Sequence, residues 1–115
     1  MAKPETELIV INKMYDLVIW CCQRISNFPR DRRFTLGDRI ENRLYDVLEN
    51  LLKAKYTHDR AGILRDVNLQ LELLRFQFRM AKDLRCISIE AYGFASRSVN
   101  EVGKLVGSWM KRSAR

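Results

Sequence analysis

Breakers are scarce in this 115-residue chain: two prolines, five glycines and a single histidine. So few turn residues argue against a disordered or loop-rich chain. One histidine, His58, leaves no Ser/His/Asp or Cys/His arrangement for nucleophilic catalysis. The three cysteines, Cys21, Cys22 and Cys86, are odd in number and lack CxxC spacing. Neither a disulfide framework nor a zinc site is expected, and Cys21 and Cys22 suit small core gaps. The glycines are isolated, so no phosphate-cradling loop exists. Long apolar runs are missing too. The most apolar stretch, Leu8 to Cys22, contains Asn12, Lys13 and Asp16 and falls short of the roughly 20 residues a spanning helix needs. It also lacks the small-residue cleavage pattern of a signal peptide. The expectations are therefore no enzyme, no cofactor, no metal, no membrane partner and a reduced, cytoplasmic compartment.

What is present is apolar residue at helical spacing and positive charge. Length predicts one domain over residues 1–115 with a short basic C-terminal tail. Net charge is +7 and the isoelectric point is near 9.7, which favours a polyanionic partner. The organising stretch is Asn27 to Leu52. Phe28-Pro29 stops one helix, Arg30, Asp31, Arg32 and Arg33 follow as a charged corner, and Thr35 with Asp38 reads as a capping box for the next helix. Leu36, Ile40, Leu44, Val47, Leu48, Leu51 and Leu52 then line one side of that helix.

Three further segments repeat the pattern. The first helix should start just after Pro4, with Glu5 and Glu7 at its positive end. Leu8, Ile11, Tyr15, Val18, Cys22 and Ile25 form one apolar row beside a second of Val10, Met14, Leu17 and Cys21. So wide a face fits both a core and a subunit contact, with Ile19 and Trp20 the first candidates to leave the core. Thr57, His58 and Asp59 supply capping candidates for the third helix, whose seam is Leu64, Val67, Leu71, Leu74 and Phe78, broadened by Leu73, Phe76, Met80 and Leu84. Ser88 should cap the fourth, with the seam Tyr92, Ala95, Val99, Val102, Val106 and Trp109. Beside it runs a bare stripe of Gly93, Ser96, Asn100, Gly103 and Gly107, suited to close approach of a helix or a phosphate backbone. The prediction is all-α: an up-down-up-down antiparallel four-helix bundle.

The carboxylates Asp38, Glu41, Asp46 and Glu49 stand beside Arg39, Arg43 and Lys53, where intrahelical ion pairs account for them. Phe76, Phe78, Tyr92, Phe94 and Trp109 are expected mainly in the core. The cations are less evenly spread. Arg30, Arg32 and Arg33 share a corner. Arg75, Arg79, Lys82 and Arg85 descend the third helix, and Arg97, Lys104, Lys111 and Arg112 run along the fourth. Such arrays attract phosphates whatever the sequence, through counterion release. These eleven residues are the candidate contacts for nucleic acid or a polymerase.

Three pieces in order, FPRDRRFTLGDRIENRLYDVLENLL, LRFQFRMAKDLRCIS and VNEVGKLVGSWMK, resemble the accessory variability determinant (Avd) proteins of diversity-generating retroelements, part of a wider group of four-helix proteins that includes those encoded in ribosomal-RNA intervening sequences. The matching positions are Phe28, Pro29, Arg30, Arg32, Phe34, Leu36, Gly37, Arg39, Ile40 and Glu41, then Leu74, Arg75, Arg79, Ala81, Lys82, Asp83 and Leu84, then Glu101, Gly103, Lys104, Gly107, Trp109 and Lys111. Ser108 departs from the pattern, which has a glycine there. The resemblance implies a non-enzymatic partner of a reverse transcriptase and a homopentameric barrel of bundles. It further implies support for mutagenic copying of template-repeat RNA into cDNA (mutagenic retrohoming). Five subunits at +7 would repel, so such a ring is expected to respond to salt. The alternative implied by the wider group is a structural assembly protein of the ribosomal-RNA-insert type, with no polymerase partner.

Overall fold

The computed structural model describes residues 4–113, with side chains from residue 6 onward. The side chain of Glu5, named above, and the last two residues of the basic tail, 114–115, lie outside the described residues. Four long helices dominate: α1 (Pro4–Ile25), α3 (Asp38–Lys55), α4 (Ala61–Asp83) and α5 (Ile89–Ser113). Between α1 and α3 stand a one-turn helix α2 (Arg30–Arg32) and a π-helical turn (Arg33–Gly37) that runs directly into α3. No strand occurs among the described residues.

Helix starts follow backbone chemistry more than capping side chains. Pro29 is extended (φ −51°, ψ 144°), and its carbonyl accepts from the N–H groups of Arg32 and Arg33 at 2.9 and 3.0 Å. The chain is therefore already helical before Thr35, and the expected Thr35–Asp38 box is not made. The N–H groups it would have served have helical partners, and Thr35 Oγ1 instead turns back to the Asp31 and Arg32 carbonyls, both at 3.4 Å. Thr57 likewise belongs to the end of α3, donating to the Lys53 carbonyl at 2.6 Å. Arg60 occupies the N-cap of α4 with no side-chain cap bond. At α5 the expectation holds: Ser88 Oγ accepts from the Ala91 N–H at 3.0 Å, a bond of the kind that contributes about 1 kcal/mol.

The end of α4 is a Schellman turn. Cys86 N–H reaches the Ala81 carbonyl at 2.7 Å and Arg85 N–H the Lys82 carbonyl at 3.0 Å. Arg85 takes the left-handed position (φ 62°) that glycine usually fills, at a cost of roughly 1 kcal/mol.

One core joins all four long helices. It holds Val10, Ile11, Met14, Leu17, Val18 and Cys21 of α1, and Ile40, Leu44, Val47 and Leu51 of α3. To these α4 adds Leu64, Val67, Leu71, Leu74 and Phe78, and α5 adds Ala95, Val99, Val102, Val106 and Trp109. Each large side chain fully buried here contributes about 2–3 kcal/mol. The predicted seams of α4 and α5 are thus the ones that pack, apart from the half-buried Tyr92. In α1 the row containing Val10, Met14, Leu17 and Cys21 is the inner one. From the other row, Leu8 and Tyr15 stay outside, as do Leu73, Phe76, Met80 and Leu84 of the third segment. Wide apolar faces exceed what three neighbours can cover, and the excess remains at the surface.

Cross-helix contacts fix the neighbours. On α3 and α4, Arg43 Nε donates to Gln77 Oε1 at 3.1 Å and Asn50 Nδ2 to Asp66 Oδ2 at 3.4 Å. On α4 and α5, Lys82 Nζ stands 4.7 Å from the Tyr92 ring and Arg75 Nε donates to Asn100 Oδ1 at 3.0 Å. On α1 and α5, Trp20 packs on Phe94 with centroids 4.7 Å apart, and Lys13 pairs with Glu101 at 3.2 Å. In each of these pairings residue numbers rise along one helix as they fall along the other.

Candidate nucleic-acid interface

The eleven candidate cations divide by what holds them. Arg97, Lys104 and Lys111 recur every seven residues on α5 and are all exposed. Seven residues is nearly two turns, so the three stand in line along the helix. None forms an ion pair among the described residues, and the same is true of exposed Arg30, Arg79 and Arg85. These six are the cations open to a phosphate.

Arg75 is differently placed. Its guanidinium pairs with Glu72 at 2.8 Å and donates to Asn100 at 3.0 Å, bridging α4 to α5. Gly103 leaves room beside that bridge, because a Cβ there would come within 3.1 Å of Arg75 Nη2 and the guanidinium tip would have to shift by a few tenths of an ångström. The bare stripe on α5 is therefore a helix contact at Gly103, whereas a Cβ on Gly107 would meet nothing within 4 Å. Lys82 is half-buried, 3.5 Å from Asp83 and over the Tyr92 ring. Arg33 is half-buried as well, with Nη2 donating to the Phe28 carbonyl at 3.4 Å, and Arg32 and Arg112 are half-buried. Glu72 stands three residues before Arg75, an intrahelical pairing distance, but charge pattern alone could not find Asn100, which lies on another helix.

The corner and the α4–α5 turn meet at one end of the molecule. Burial pushes the Cys86 thiol up, Arg32 opposes that shift and Asp31 adds to it, which places the corner within electrostatic reach of the turn. There Lys82, Arg85, Ser88, Ile89 and Tyr92 line a cleft of about 730 Å³. Tyr92 also lines a smaller cleft with Glu72, Arg75, Phe76 and Arg79. Phe76 and Phe94 are exposed, against the expectation that the aromatics sit mainly in the core, while Phe78 and Trp109 are buried as expected.

The geometry brings together no Ser/His/Asp or Cys/His arrangement among the described residues. His58 is exposed on the α3–α4 loop, and no group of His, Cys, Asp or Glu suited to a metal forms among the described residues. Cys21 and Cys22 are free, with both thiols pushed up mainly by burial. Cys22 lies 3.6 Å from the Tyr45 hydroxyl, which is raised by its hydrogen bonds to Cys22 and Glu41. Thiols held protonated are poor nucleophiles. No described helix is long and apolar enough to cross a membrane.

The class so defined is a small helical protein, with four long helices and a line of exposed cations among the described residues. The model of the bAvd-like family matches the chain over residues 8–113. The chain belongs to that family, the accessory, non-catalytic Avd-like proteins of diversity-generating retroelements. No curated relative and no solved structure matches it.

Proposed function

We propose that the protein acts as the scaffold of mutagenic reverse transcription in a diversity-generating retroelement. It binds the reverse transcriptase together with template-repeat RNA or its cDNA. The observation that carries this reading is the line of Arg97, Lys104 and Lys111 along α5, exposed and without ion pairs among the described residues. Cations in this state attract the counterion-clad phosphate backbone without reading its bases. Arg30, Arg79 and Arg85 extend the surface, and Lys82, Arg32, Arg33 and Arg112 add field from half-buried positions. Arg75 serves the nucleic acid by stiffening the α4–α5 pair. Base pairing and the polymerase then supply sequence and chemistry.

The same reading takes residues 1–115 as one domain, an up-down-up-down bundle that assembles into a homopentameric barrel and works in the cytoplasm. The opposite order of contacts along three helix pairs supports the topology, and exposed apolar rows support assembly.

The test is co-purification of the tagged protein with the reverse transcriptase encoded beside it, with and without nuclease and across a salt series. A stoichiometric complex containing a multimer is expected. A protein that purifies alone at every salt and retains only ribosomal RNA would instead be a structural assembly factor.

A further inference from the structure

The cleft where α4 turns into α5 combines an apolar floor with a cationic rim. Its volume, about 730 Å³, falls within the roughly 300–1,000 Å³ of small-molecule sites. Ile87, Ile89 and the Tyr92 ring form the apolar part, and Ile89 is 74 % exposed, the most exposed large aliphatic side chain among the described residues. Lys82, Arg85 and Ser88 form the polar part. Asp83, the carboxylate in the lining, is engaged by Lys82 at 3.5 Å, whereas Arg85 has no ion pair among the described residues. Ser88 Oγ accepts from the Ala91 N–H at 3.0 Å, which leaves its own proton to donate.

Arg85 asks for a reason. It holds a left-handed backbone conformation (φ 62°) at the position where a helix end ordinarily takes glycine. A glycine there would close the same turn without strain, so what arginine adds is its side chain, and that side chain lines the cleft.

The cleft also stands at the head of the α5 line of cations. Arg97, Lys104 and Lys111 lie eight, fifteen and twenty-two residues past Ile89, which at about 100° per residue puts all three within roughly 80° of it around the helix. A Cβ on Gly93 would stand 3.3 Å from Arg97 Nη1, so the Arg97 guanidinium lies over Gly93, one turn from Ile89. Phosphates neutralised along that line therefore lead to the cleft.

We infer that the cleft binds a nucleoside phosphate, with the phosphate on Arg85 and Ser88 beside Lys82 and the base against Ile87, Ile89 and Tyr92. The ligand is the unpaired terminal nucleotide of a strand laid along the α5 line, or a free nucleotide of the same chemistry. This deepens the nucleic-acid reading given above, on which the strand form rests. A paired base hides its face in the stack, whereas an unpaired one offers it for apolar contact.

Titrating the full chain with AMP, adenosine and inorganic phosphate, followed by NMR shifts, tests the cleft directly. AMP should bind about tenfold more tightly than either part. Arg85→Gly should raise the thermal melt, because glycine relieves the left-handed strain, yet weaken AMP by about tenfold through loss of a charge-assisted hydrogen bond. A variant that is more stable and binds less does not owe its loss to unfolding. Ile89→Ser should weaken AMP and leave phosphate unchanged. Anisotropy with an RNA hairpin, blunt or carrying a 5′-phosphorylated overhang, separates the two sources. A preference for the overhang that Arg85→Gly abolishes identifies a strand end, and AMP binding without that preference identifies a free nucleotide. AMP binding that ignores both substitutions, or the absence of both AMP binding and overhang preference, overturns the inference. Tighter binding of an Asp-Glu-Phe peptide than of AMP assigns the cleft to a protein partner and overturns it as well. Lys104→Ala should weaken both hairpins alike; if it does not, the phosphate line fails, while the AMP titration still decides the cleft.

Discussion

The guanidinium of Arg75 on α4 passes 3.1 Å from the point where a methyl group on Gly103 of α5 would stand. A glycine inside a helix costs roughly 1 kcal/mol relative to alanine, so the pair trades helix stability for a cross-helix clamp to Asn100. Gly107, four residues on, faces open space and makes no such trade. Gly107→Ala should therefore stabilise the isolated subunit by about 1 kcal/mol. Gly103→Ala should gain less, because the flexible Arg75 tip must yield a few tenths of an ångström. Urea unfolding of the two variants checks the ranking, and a larger gain at Gly103 would contradict the clamp.

Gly37 is the opposite case. A Cβ there would stand 3.0 Å from Ile25 Cγ2, 3.4 Å from the Arg32 carbonyl and 3.5 Å from Phe28. Ile25 and Phe28 are buried and the carbonyl is backbone, so nothing can swing aside. Gly37→Ala should destabilise by about 1–3 kcal/mol, the usual cost of overpacking, despite its better helix propensity. A melting temperature at or above wild type would refute this.

The thiols give a signed pH dependence. Burial raises Cys21 above its ordinary 9.0, Cys22 adds to the shift and Arg24 opposes it. A group raised in the folded state contributes stability that is fully present below its unfolded value and is lost as pH rises toward the folded one. Stability should thus hold at neutral pH and fall above about pH 9. Cys21→Ala should flatten that fall, measured by urea midpoints against pH. In native protein Cys21 should resist a thiol reagent that reaches the other two.

For the basic line, Arg97→Ala, Lys104→Ala and Lys111→Ala should each weaken RNA binding without changing the thermal melt. Each contact removed should lower the slope of log affinity against log salt by about 1. Arg75→Ala should behave otherwise, loosening the fold first. Anisotropy titrations across a salt series separate the two classes, and slopes unchanged in all three α5 variants would sink the assignment of that line.

Much of the fold was legible because one seam decides each helix. The α5 seam from Ala95 to Trp109 and the Ser88 cap stand where spacing and hydroxyl chemistry put them. The π turn was not legible, since no residue type or spacing in Arg33–Gly37 marks a wide turn. In α1 two apolar rows compete, and periodicity cannot say that Val10 faces inward while Leu8 faces out. The site divided in the same way. Seven-residue spacing reveals Arg97, Lys104 and Lys111, and Glu72 stands three residues before Arg75, yet nothing local in the sequence announces that Asn100 engages Arg75. The outer α4 row is visible as Leu73, Phe76 and Met80, but spacing counted from Leu64 reads it as a broadening of the inner seam, whereas these residues are exposed. Counting from Leu69 instead of Leu64 separates the two rows.

The wide turn at Arg33–Gly37 also sets an angle. A π turn amounts to one extra residue within a helix, and one residue is about 100° of rotation. The wide turn takes up that residue locally, so the charged corner and the core stripe of α3 keep one facing along a continuous helical backbone. Deleting a single residue between Arg33 and Leu36 would restore regular winding and leave α3 seated. Arg30 and Arg32 would keep their aim, because the residue lost is the one the wide turn absorbs, whereas the same deletion inside α3 would turn the corner's charge by about 100° against the core.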